Sequence, residues 1–317
     1  MRQTLLLWLK GMAMGAADVV PGVSGGTIAF ISGIYEELLD SLKRFTPGAL
    51  GIWYREGFGA FWRHVNGTFL LTVFGGVLFS VFSLANVVSY ALEYHPVLVW
   101  GFFFGLIIAS IIYIGRQLPL RSPAIWIALI IGTLVALAIS VGKPVQLPAV
   151  WWMVFIAGSI AICAMILPGV SGSFLLLLMG MYPVVLQAVS DLNVLILMSF
   201  FSGCVLGLLL FSHLLSWLLH HFHSVTLAVL TGFLVGSLNI VWPWKHTLET
   251  FINRHGEAVP LVQENLLPFA YAEATGSDPQ TLWVILLMLL GLSLVLGLEY
   301  WASRDKLNTS RATDAGL

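Results

Sequence analysis

The stretch Pro21-Gly22-Val23-Ser24-Gly25 recurs unchanged as Pro168-Gly169-Val170-Ser171-Gly172, and both copies lie deep inside apolar sequence. A membrane interior tolerates proline and clustered glycine only where the freed backbone groups are buried in protein or line a polar cavity. Interrupted apolar segments at corresponding positions of two halves are typical of transporters, whose binding site lies where the interruptions meet. The repeated pentapeptide therefore predicts a membrane protein of two related halves.

The composition supports a chain that is embedded in a membrane. Of 317 residues, 59% are hydrophobic and 9% are charged, and the mean hydropathy is +0.95. Soluble domains carry roughly 25% charged residues, so we expect an integral membrane protein with membrane lipids around it. The net charge of −1 excludes a broadly basic nucleic-acid binder. Both cysteines, Cys163 and Cys204, fall in apolar runs, which favours buried thiols over a disulfide or a metal site.

Eight apolar segments organise the chain. Six are uninterrupted and long enough to span about 30 Å of hydrocarbon. They lie near 67–92, 96–115, 123–142, 194–219, 224–242 and 281–301. Two more, 5–42 and 149–190, are each interrupted by the repeated motif. Each half is therefore predicted to be one broken helical hairpin followed by three transmembrane helices, in an all-α polytopic fold. The apolar start of the chain is cut short by Lys10, so we expect it to be retained rather than cleaved as a signal peptide.

The repeat is longer than five residues. Between 21–35 and 168–182, seven of fifteen positions are identical, including Gly33 with Gly180 and Tyr35 with Tyr182. A weaker match continues at a spacing of 127, for example Gly76 with Gly203. Repeats of this kind indicate two structurally equivalent halves.

Lysine and arginine positions predict the orientation. If each broken segment is a re-entrant hairpin, ten basic residues share one face with both termini, against three on the other face. By the positive-inside rule the richer face is cytoplasmic. A hairpin plus three spans is an odd number of crossings, which makes the second half an inverted repeat of the first.

The predicted division follows from these segments. The first repeat covers 1–142, with a hairpin at 5–42 and an interfacial segment at 43–66. The second covers 143–301, with a hairpin at 149–190 and an acidic external loop at 243–280, and residues 302–317 form a cytoplasmic tail. The interfacial segment mixes aromatic and basic residues, which suits either a helix on anionic headgroups or an ordinary aromatic-belt loop.

The residues after each proline carry the predicted chemistry. Pro21, Gly22, Pro168 and Gly169 break the hairpins, and hydroxyl and glycine residues then open the next half-helix. A helix N-terminus offers unpaired N–H groups and about half a positive charge, which suits a phosphate or another oxyanion. The predicted anion-binding residues are Ser24, Gly25, Gly26, Thr27, Ser171, Gly172 and Ser173. The alternative is that these residues only cap helices and turn the chain.

Asp18 stands three residues before the first break, and its repeat partner is Met165. A carboxylate inside a membrane is costly and by default functional. Asp18 is therefore either a site for a coupling proton or sodium ion, or a cap for nearby N–H groups.

Four further residues are weaker candidates. Lys10, Glu36 and Glu37 are expected to reach the cytoplasmic surface. The alternative for Lys10 is that it neutralises a bound anion. His213 is either a proton relay or one end of an interhelical hydrogen bond. His220, His221 and His223 cluster in a predicted cytoplasmic turn, where no carboxylate or thiol neighbour completes a metal site. We expect no metal and no cofactor. Motifs for ATP hydrolysis and familiar hydrolases do not occur.

The two signatures resemble those of the PopT family of polyprenyl-phosphate translocases. The first runs from Ala17 to Phe30 and continues as Gly33-Ile34-Tyr35-Glu36, and the second runs from Met165 to Phe174 and continues as Gly180-Met181-Tyr182. The resemblance extends from the N-terminus to about residue 242. It implies a non-enzymatic transporter that returns undecaprenyl phosphate from the outer to the inner leaflet of a bacterial plasma membrane, for reuse in envelope synthesis. It also implies that Asp18, Pro21 to Thr27 and Pro168 to Ser173 form the functional site.

Two other functions remain open at this stage. Inverted hairpins with Gly- and Ser-rich helix starts also suit a transporter or channel for a small inorganic anion. A membrane-embedded lipid phosphatase or transferase would use the cluster from His220 to His223.

Overall fold

The computed structural model describes residues 2–19, 23–142, 144–252 and 258–314. Fifteen α-helices and one two-stranded antiparallel sheet run through these described residues. In chain order they are α1 (Arg2–Val19), α2 (Gly25–Ile31), α3 (Tyr35–Leu42), α4 (Pro47–Glu56), α5 (Phe58–His64), α6 (Gly67–Tyr94), α7 (Pro96–Gly115), α8 (Pro123–Ser140), α9 (Trp151–Ile166), α10 (Gly172–Leu178), α11 (Tyr182–Ser190), α12 (Val194–His221), α13 (His223–Ser237), β1 (Lys245–Ile252), β2 (Ala258–Asn265), α14 (Pro268–Thr275) and α15 (Thr281–Asp314). The predicted all-α polytopic class is confirmed, with the small sheet as an addition.

The first broken segment consists of α1, α2 and α3. The chain leaves α1 after Val19 and re-enters a helix at Gly25. Pro21 and Gly22, the residues predicted to break it, lie outside the described residues. The second turn, between α2 and α3, contains Gly33 at φ +71°, a backbone conformation in which glycine avoids the steric cost of a side chain.

The second broken segment consists of α9, α10 and α11. Leu167 is extended, as expected for a residue that precedes a proline. Pro168 ends α9 because its ring cannot continue a helix, and Gly169 follows at φ +81°. Helices α10 and α11 meet at an angle of 100°. The segment therefore turns sharply, as the re-entrant hairpin prediction requires.

The six predicted spans all contain helix, but they differ in length. Among the described residues, α6, α7, α8 and α12 are long and apolar enough to cross a membrane, and the bent pair of α10 and α11 could provide a fifth crossing. Helix α13 has only 15 residues, whereas α15 is helical through the whole of the predicted span at 281–301.

The expectation of six full-length spans is therefore wrong for the segment at 224–242. The predicted span at 224–242 is shortened because Pro243 cannot continue the helix, and the preceding residues wind off in turns. At the end of the chain, α15 continues into the predicted tail as far as Asp314.

The two halves pack in the same way. Helix α1 lies against α6, as α9 lies against α12 in the second half. In the first pair Gly76 sits against the carbonyl of Trp8, and in the second Gly203 sits against the carbonyl of Phe155. A Cβ at either glycine would overlap the opposing backbone, so the close approach of each pair requires glycine. The sequence match between these two glycines is thus a match in packing.

The same correspondence relates the remaining spans. Helix α8 packs on α13, and α15 packs on α7. Gly132 in α8 meets the carbonyl of Val229, and Gly291 in α15 meets the carbonyl of Phe102. The third span of each half therefore packs against the second span of the other half, so the two repeats are interlocked. The division at residues 142 and 143 stays a prediction, and Lys143 lies outside the described residues.

Two long connections between the transmembrane helices contain secondary structure of their own. Residues 43–66 contain the short helices α4 and α5, whose aromatic side chains cluster. The predicted external loop at 243–280 is more ordered than expected, because it contains β1, β2 and α14. Trp242 and Trp244 anchor it to the bundle by donating to the carbonyls of Leu266 and Pro279 at 2.7 and 2.8 Å.

Candidate functional site

The two broken segments meet in the interior of the bundle. Ser24, which precedes α2, donates to the carbonyl of Met165 at 2.8 Å. Tyr35, at the start of α3, is fully buried and donates to the carbonyl of Ile166 at 3.1 Å. Both acceptors lie in the last turn of α9, where helix carbonyls have no partner of their own. The first hairpin therefore closes the end of the leading helix of the second.

A reciprocal contact joins the second break to the first hairpin. The N–H of Gly169 donates to Oγ1 of Thr27 at 2.9 Å, and Thr27 is buried. Gly26 packs so closely on the end of α9 that a Cβ there would overlap the carbonyl of Ile166. The two copies of the motif, far apart in sequence, thus form one buried constellation, as predicted.

The N-terminus of α2 is closed by the protein itself. Oδ1 of Asp18 accepts from the N–H of Gly25 at 2.6 Å, and Oγ of Ser24 accepts from the N–H of Gly26 at 3.1 Å. The N–H of Thr27 reaches the Ser24 carbonyl at 2.9 Å. A Cβ on Gly25 would lie 2.5 Å from the Asp18 carboxylate, so glycine permits this close cap. Of the two roles expected for Asp18, the structure displays the capping one.

Helix α1 contacts both ends of α2. Asp18 holds the N-terminus, and Nζ of Lys10 donates at 2.6 Å to the carbonyl of Ser32, the C-cap residue of α2. Lys10 and Asp18 are two turns apart, about 12 Å along α1, which matches the length of the short antiparallel α2. A negative group at a helix start and a positive group at its end both stabilise the helix dipole. Lys10 thus contacts the end of α2 opposite to the start at which the anion site is predicted.

The N-terminus of α10 is open, in contrast to that of α2. Its cap residue Ser171 makes no capping hydrogen bond, and its hydroxyl lies 3.0 Å from that of Ser173. Among the described residues, no acceptor receives the N–H groups of Gly172 and Ser173. Met165, at the repeat position of Asp18, has no carboxylate to supply one. The positive end of α10 is therefore left without a compensating group.

The weaker candidates lie away from this constellation. Glu36 and Glu37 are exposed, and they contact His223 at 3.1 Å and Asn66 at 3.0 Å. His213 is exposed on α12, and its ring nitrogen lies 2.8 Å from the carbonyl of Leu209 in the same helix. The contact that the structure shows for His213 is thus within α12, and its two expected roles, a proton relay or an interhelical hydrogen bond, stay predictions.

The histidine cluster has partners that the sequence pattern did not reveal. Ring nitrogens of His220 lie 3.4 Å from the Ser216 hydroxyl and 3.9 Å from the carboxylate of Asp40, while His223 faces Glu36. His221 stacks on Trp217. The three rings thus have three separate partners and do not converge on one point. Asp40 and Glu36 come from α3, far away in sequence.

Asp40 is the centre of a polar link between α3 and α12. Its Oδ1 accepts from Lys43 Nζ at 2.7 Å and from Ser216 Oγ at 2.6 Å. Lys43 also donates to Ser216 at 2.7 Å. Asp40 lies five residues after Tyr35 in a helix that also contains Glu36 and Glu37, so the sequence did not single it out.

Fold and site together define a class. Two related halves, each with a broken segment, meet at a buried polar constellation within a bundle of apolar helices, which is the construction of a secondary transporter. A family model described as "VCA0040-like: Undecaprenyl phosphate translocase-like" matches residues 14–259. The chain belongs to this family.

Two curated relatives extend the comparison. The chain is 51% identical over 300 residues to a polyprenyl-phosphate transporter of Vibrio cholerae, an alignment that covers 95% of this chain and 97% of the relative. It is 34% identical over 253 residues to a polyprenyl-phosphate transporter of Staphylococcus aureus, covering 74% of this chain and 85% of the relative. No solved structure matches the chain.

Proposed function

We propose that this protein translocates a polyprenyl phosphate, undecaprenyl phosphate, from the outer to the inner leaflet of a bacterial plasma membrane. The observation that carries the proposal is the meeting of the two motif copies at one buried site, in a chain of the undecaprenyl phosphate translocase-like family. The substrate suits this site because its phosphate needs donors inside the protein, whereas its isoprenoid tail can stay in lipid. Transport needs no bond to be made or broken, so the protein acts without catalysis.

The open start of α10 supplies the first contacts with the phosphate. Ser171 and Ser173 contribute hydroxyls, and Gly172 contributes an N–H group that has no acceptor among the described residues. Ser24, Gly25, Gly26 and Thr27 join only when Asp18 releases Gly25. The two helix starts thus act in sequence rather than as equal halves of a clamp.

Asp18 is the proposed coupling residue. While ionised, it occupies the N–H that an incoming phosphate would use, because both are anions that compete for one donor. A proton or sodium ion on Asp18 would weaken this cap and free the N-terminus of α2. Such a cation would favour phosphate binding on the side where the cation is abundant.

The orientation in our proposal follows the positive-inside rule, with both termini cytoplasmic. The loop that carries β1, β2 and α14 is then external, and α4 and α5 are cytoplasmic. The substrate enters from the external leaflet, the halves rock around the two breaks, and the phosphate leaves on the cytoplasmic side.

Proteoliposomes test this function. Undecaprenyl phosphate is placed in both leaflets, and an impermeant phosphatase removes the phosphate exposed outside. With the protein present, we expect hydrolysis to proceed beyond the outer-leaflet half, because translocation renews the exposed pool. Hydrolysis that stops at half, as in protein-free liposomes, would contradict the proposal. Flux of labelled inorganic phosphate without lipid movement would instead indicate the small-anion transporter, and loss of phosphate without added phosphatase would indicate the lipid phosphatase.

A further inference from the structure

A lysine is partly buried at the end of the bundle that carries the sheet. Lys245 begins β1, and its Nζ donates to the carbonyl of Ile240 and lies 4.0 Å from the centre of the Trp100 ring. No described carboxylate lies within ion-pairing distance of it. Burial lowers the pKa of Lys245 to about 7. An ammonium group that is partly withdrawn from water and has no counter-charge among the described residues is costly, so its presence needs a reason.

An open cavity of about 430 Å³ is lined by Asn265, the residue that pairs with this lysine across the sheet. Its lining combines aromatic and aliphatic side chains with two amides: Phe104, Leu238, Asn239, Trp242, Asn265, Leu266 and Leu267. Asn265 is the strand partner of Lys245, and side chains of directly opposed residues project from the same face of a sheet. Lys245 therefore lies on the face of the sheet that borders the cavity.

Hydrogen bonds between two lining residues cross the edge of the cavity. The amide nitrogen of Asn265 donates at 2.8 Å to both the backbone carbonyl and the side-chain oxygen of Asn239. Asn239 in turn donates to the hydroxyl of Ser140 at the end of α8. The sheet is thus fixed to the bundle beside the cavity.

The cavity is adjacent to the second break. Gly169 packs on α13 so closely that a Cβ there would lie 2.8 Å from the carbonyl of Phe233 and 3.0 Å from Oγ of Ser237. Leu238 and Asn239, the next residues of the chain, line the cavity. A ligand in the cavity therefore lies next to the break that precedes the open start of α10.

We propose that this cavity is an entry site at which a prenyl phosphate binds before it reaches the two breaks, with its phosphate on Lys245. The first isoprene units lie against Phe104 and Trp242, whose rings meet edge to face at 5.5 Å. The phosphate supplies the missing counter-charge, and the aromatic wall excludes the water that would screen it. This inference rests on the proposed function, since it assigns a second contact point to the same substrate.

A structural role for Lys245 predicts different behaviour. If Lys245 only fixes the sheet to the bundle, its hydrogen bond to Ile240 and its contact with the Trp100 ring are sufficient. A prenyl alcohol, which lacks the phosphate, would then bind as well as the prenyl phosphate. A receptor for the phosphate requires the positive charge, and it discriminates between the two ligands.

The test is a binding measurement on the full chain in lipid nanodiscs. The probes are farnesyl phosphate and farnesol, which share a prenyl chain and differ in the phosphate. Lys245→Met should weaken binding of farnesyl phosphate by about tenfold to a hundredfold, the cost of losing a charge-assisted hydrogen bond of about 1.5–3 kcal/mol, and leave farnesol unchanged. Lys245→Arg should retain most of the affinity because it keeps the charge. His246→Gln is the matched control, since His246 pairs with Glu264 on the opposite face.

The outcomes separate the inference from the function. If Lys245→Met binds farnesyl phosphate like the wild type, or loses both ligands equally, the entry site is wrong while translocation by the wild type still supports the function. If the wild type neither binds farnesyl phosphate nor translocates undecaprenyl phosphate, the function itself fails. Elution volume and thermal midpoint verify that each variant is folded.

Discussion

At the scale of single residues, the difference between Asp18 and Met165 separates the two halves. The halves share a motif and a packing scheme, yet one helix start is capped by a carboxylate and the other is open. A pair of equal binding sites would have needed both starts to be open. The two helix starts are therefore chemically different in a fold that is otherwise built from equivalent parts.

The hydroxyls at the start of α10 should contribute to translocation. Replacing Ser171 and Ser173 together by alanine removes two donors, and we expect translocation of undecaprenyl phosphate to slow about tenfold or more, since each hydrogen bond to a charged group contributes about 1.5–3 kcal/mol. The phosphatase assay in proteoliposomes measures the rate. Ser202→Ala is the control, because its hydroxyl bonds to Ser199 within α12. An unchanged rate in the double variant would remove the open start from the site.

Asp18 should be necessary for coupling. Asp18→Asn retains an oxygen that can accept from Gly25 but carries no charge to attract a proton or sodium ion. We expect translocation in proteoliposomes to lose its response to an imposed proton or sodium gradient. The control is Asp191→Asn, an exposed carboxylate next to α11. A variant at Asp18 that responds to the gradient like the wild type would rule out this residue as the coupling site.

At the scale of elements, the link between α3 and α12 stabilises the predicted cytoplasmic end. Asp40→Ala removes the shared acceptor of Lys43 and Ser216, and we expect the free energy of unfolding to fall by about 1–3 kcal/mol. Denaturant titration in detergent measures the change. The exposed Asp191→Ala should lie within about 0.5 kcal/mol of the wild type. Equal stability of the two variants would mean that solvent screens the link completely.

Several elements were predictable because their signals are local. Proline and glycine stop a helix wherever they occur, so the second break at Pro168 and Gly169 was foreseen. The six apolar runs likewise became helices. The lengths of α13 and α15 were not predicted. Nor were the strands β1 and β2, because the polar loop that contains them has no apolar run from which secondary structure could be predicted.

At the scale of the whole molecule, the outer surface is as informative as the interior. Large apolar side chains such as Phe82, Leu134 and Leu210 are more than half exposed on α6, α8 and α12. A soluble monomer rarely exposes so much apolar surface, whereas a bilayer covers it at no cost. The surface therefore agrees with the membrane lipids expected as neighbours.

The predicted orientation can be tested by labelling. Cys163 and Cys204 are first replaced by alanine, and one cysteine is introduced either at Gly59, on exposed α5, or at Ser277, in the loop before α15. An impermeant maleimide should label Ser277→Cys in intact cells, and Gly59→Cys only after the cells are opened. The reverse pattern would place the termini outside and invert the proposed direction of entry.

The sequence by itself determined that the chain lies in a membrane, that it consists of two related halves and where a proline ends a helix. These properties depend on composition, on repetition and on the local geometry of proline and glycine. The tertiary structure alone decided that Asp18 closes one helix start, that Asp40 meets Ser216, and that the strand partner of Lys245 lines a cavity beside the second break. Such contacts depend on which helices pack together, and packing joins residues that no local pattern relates.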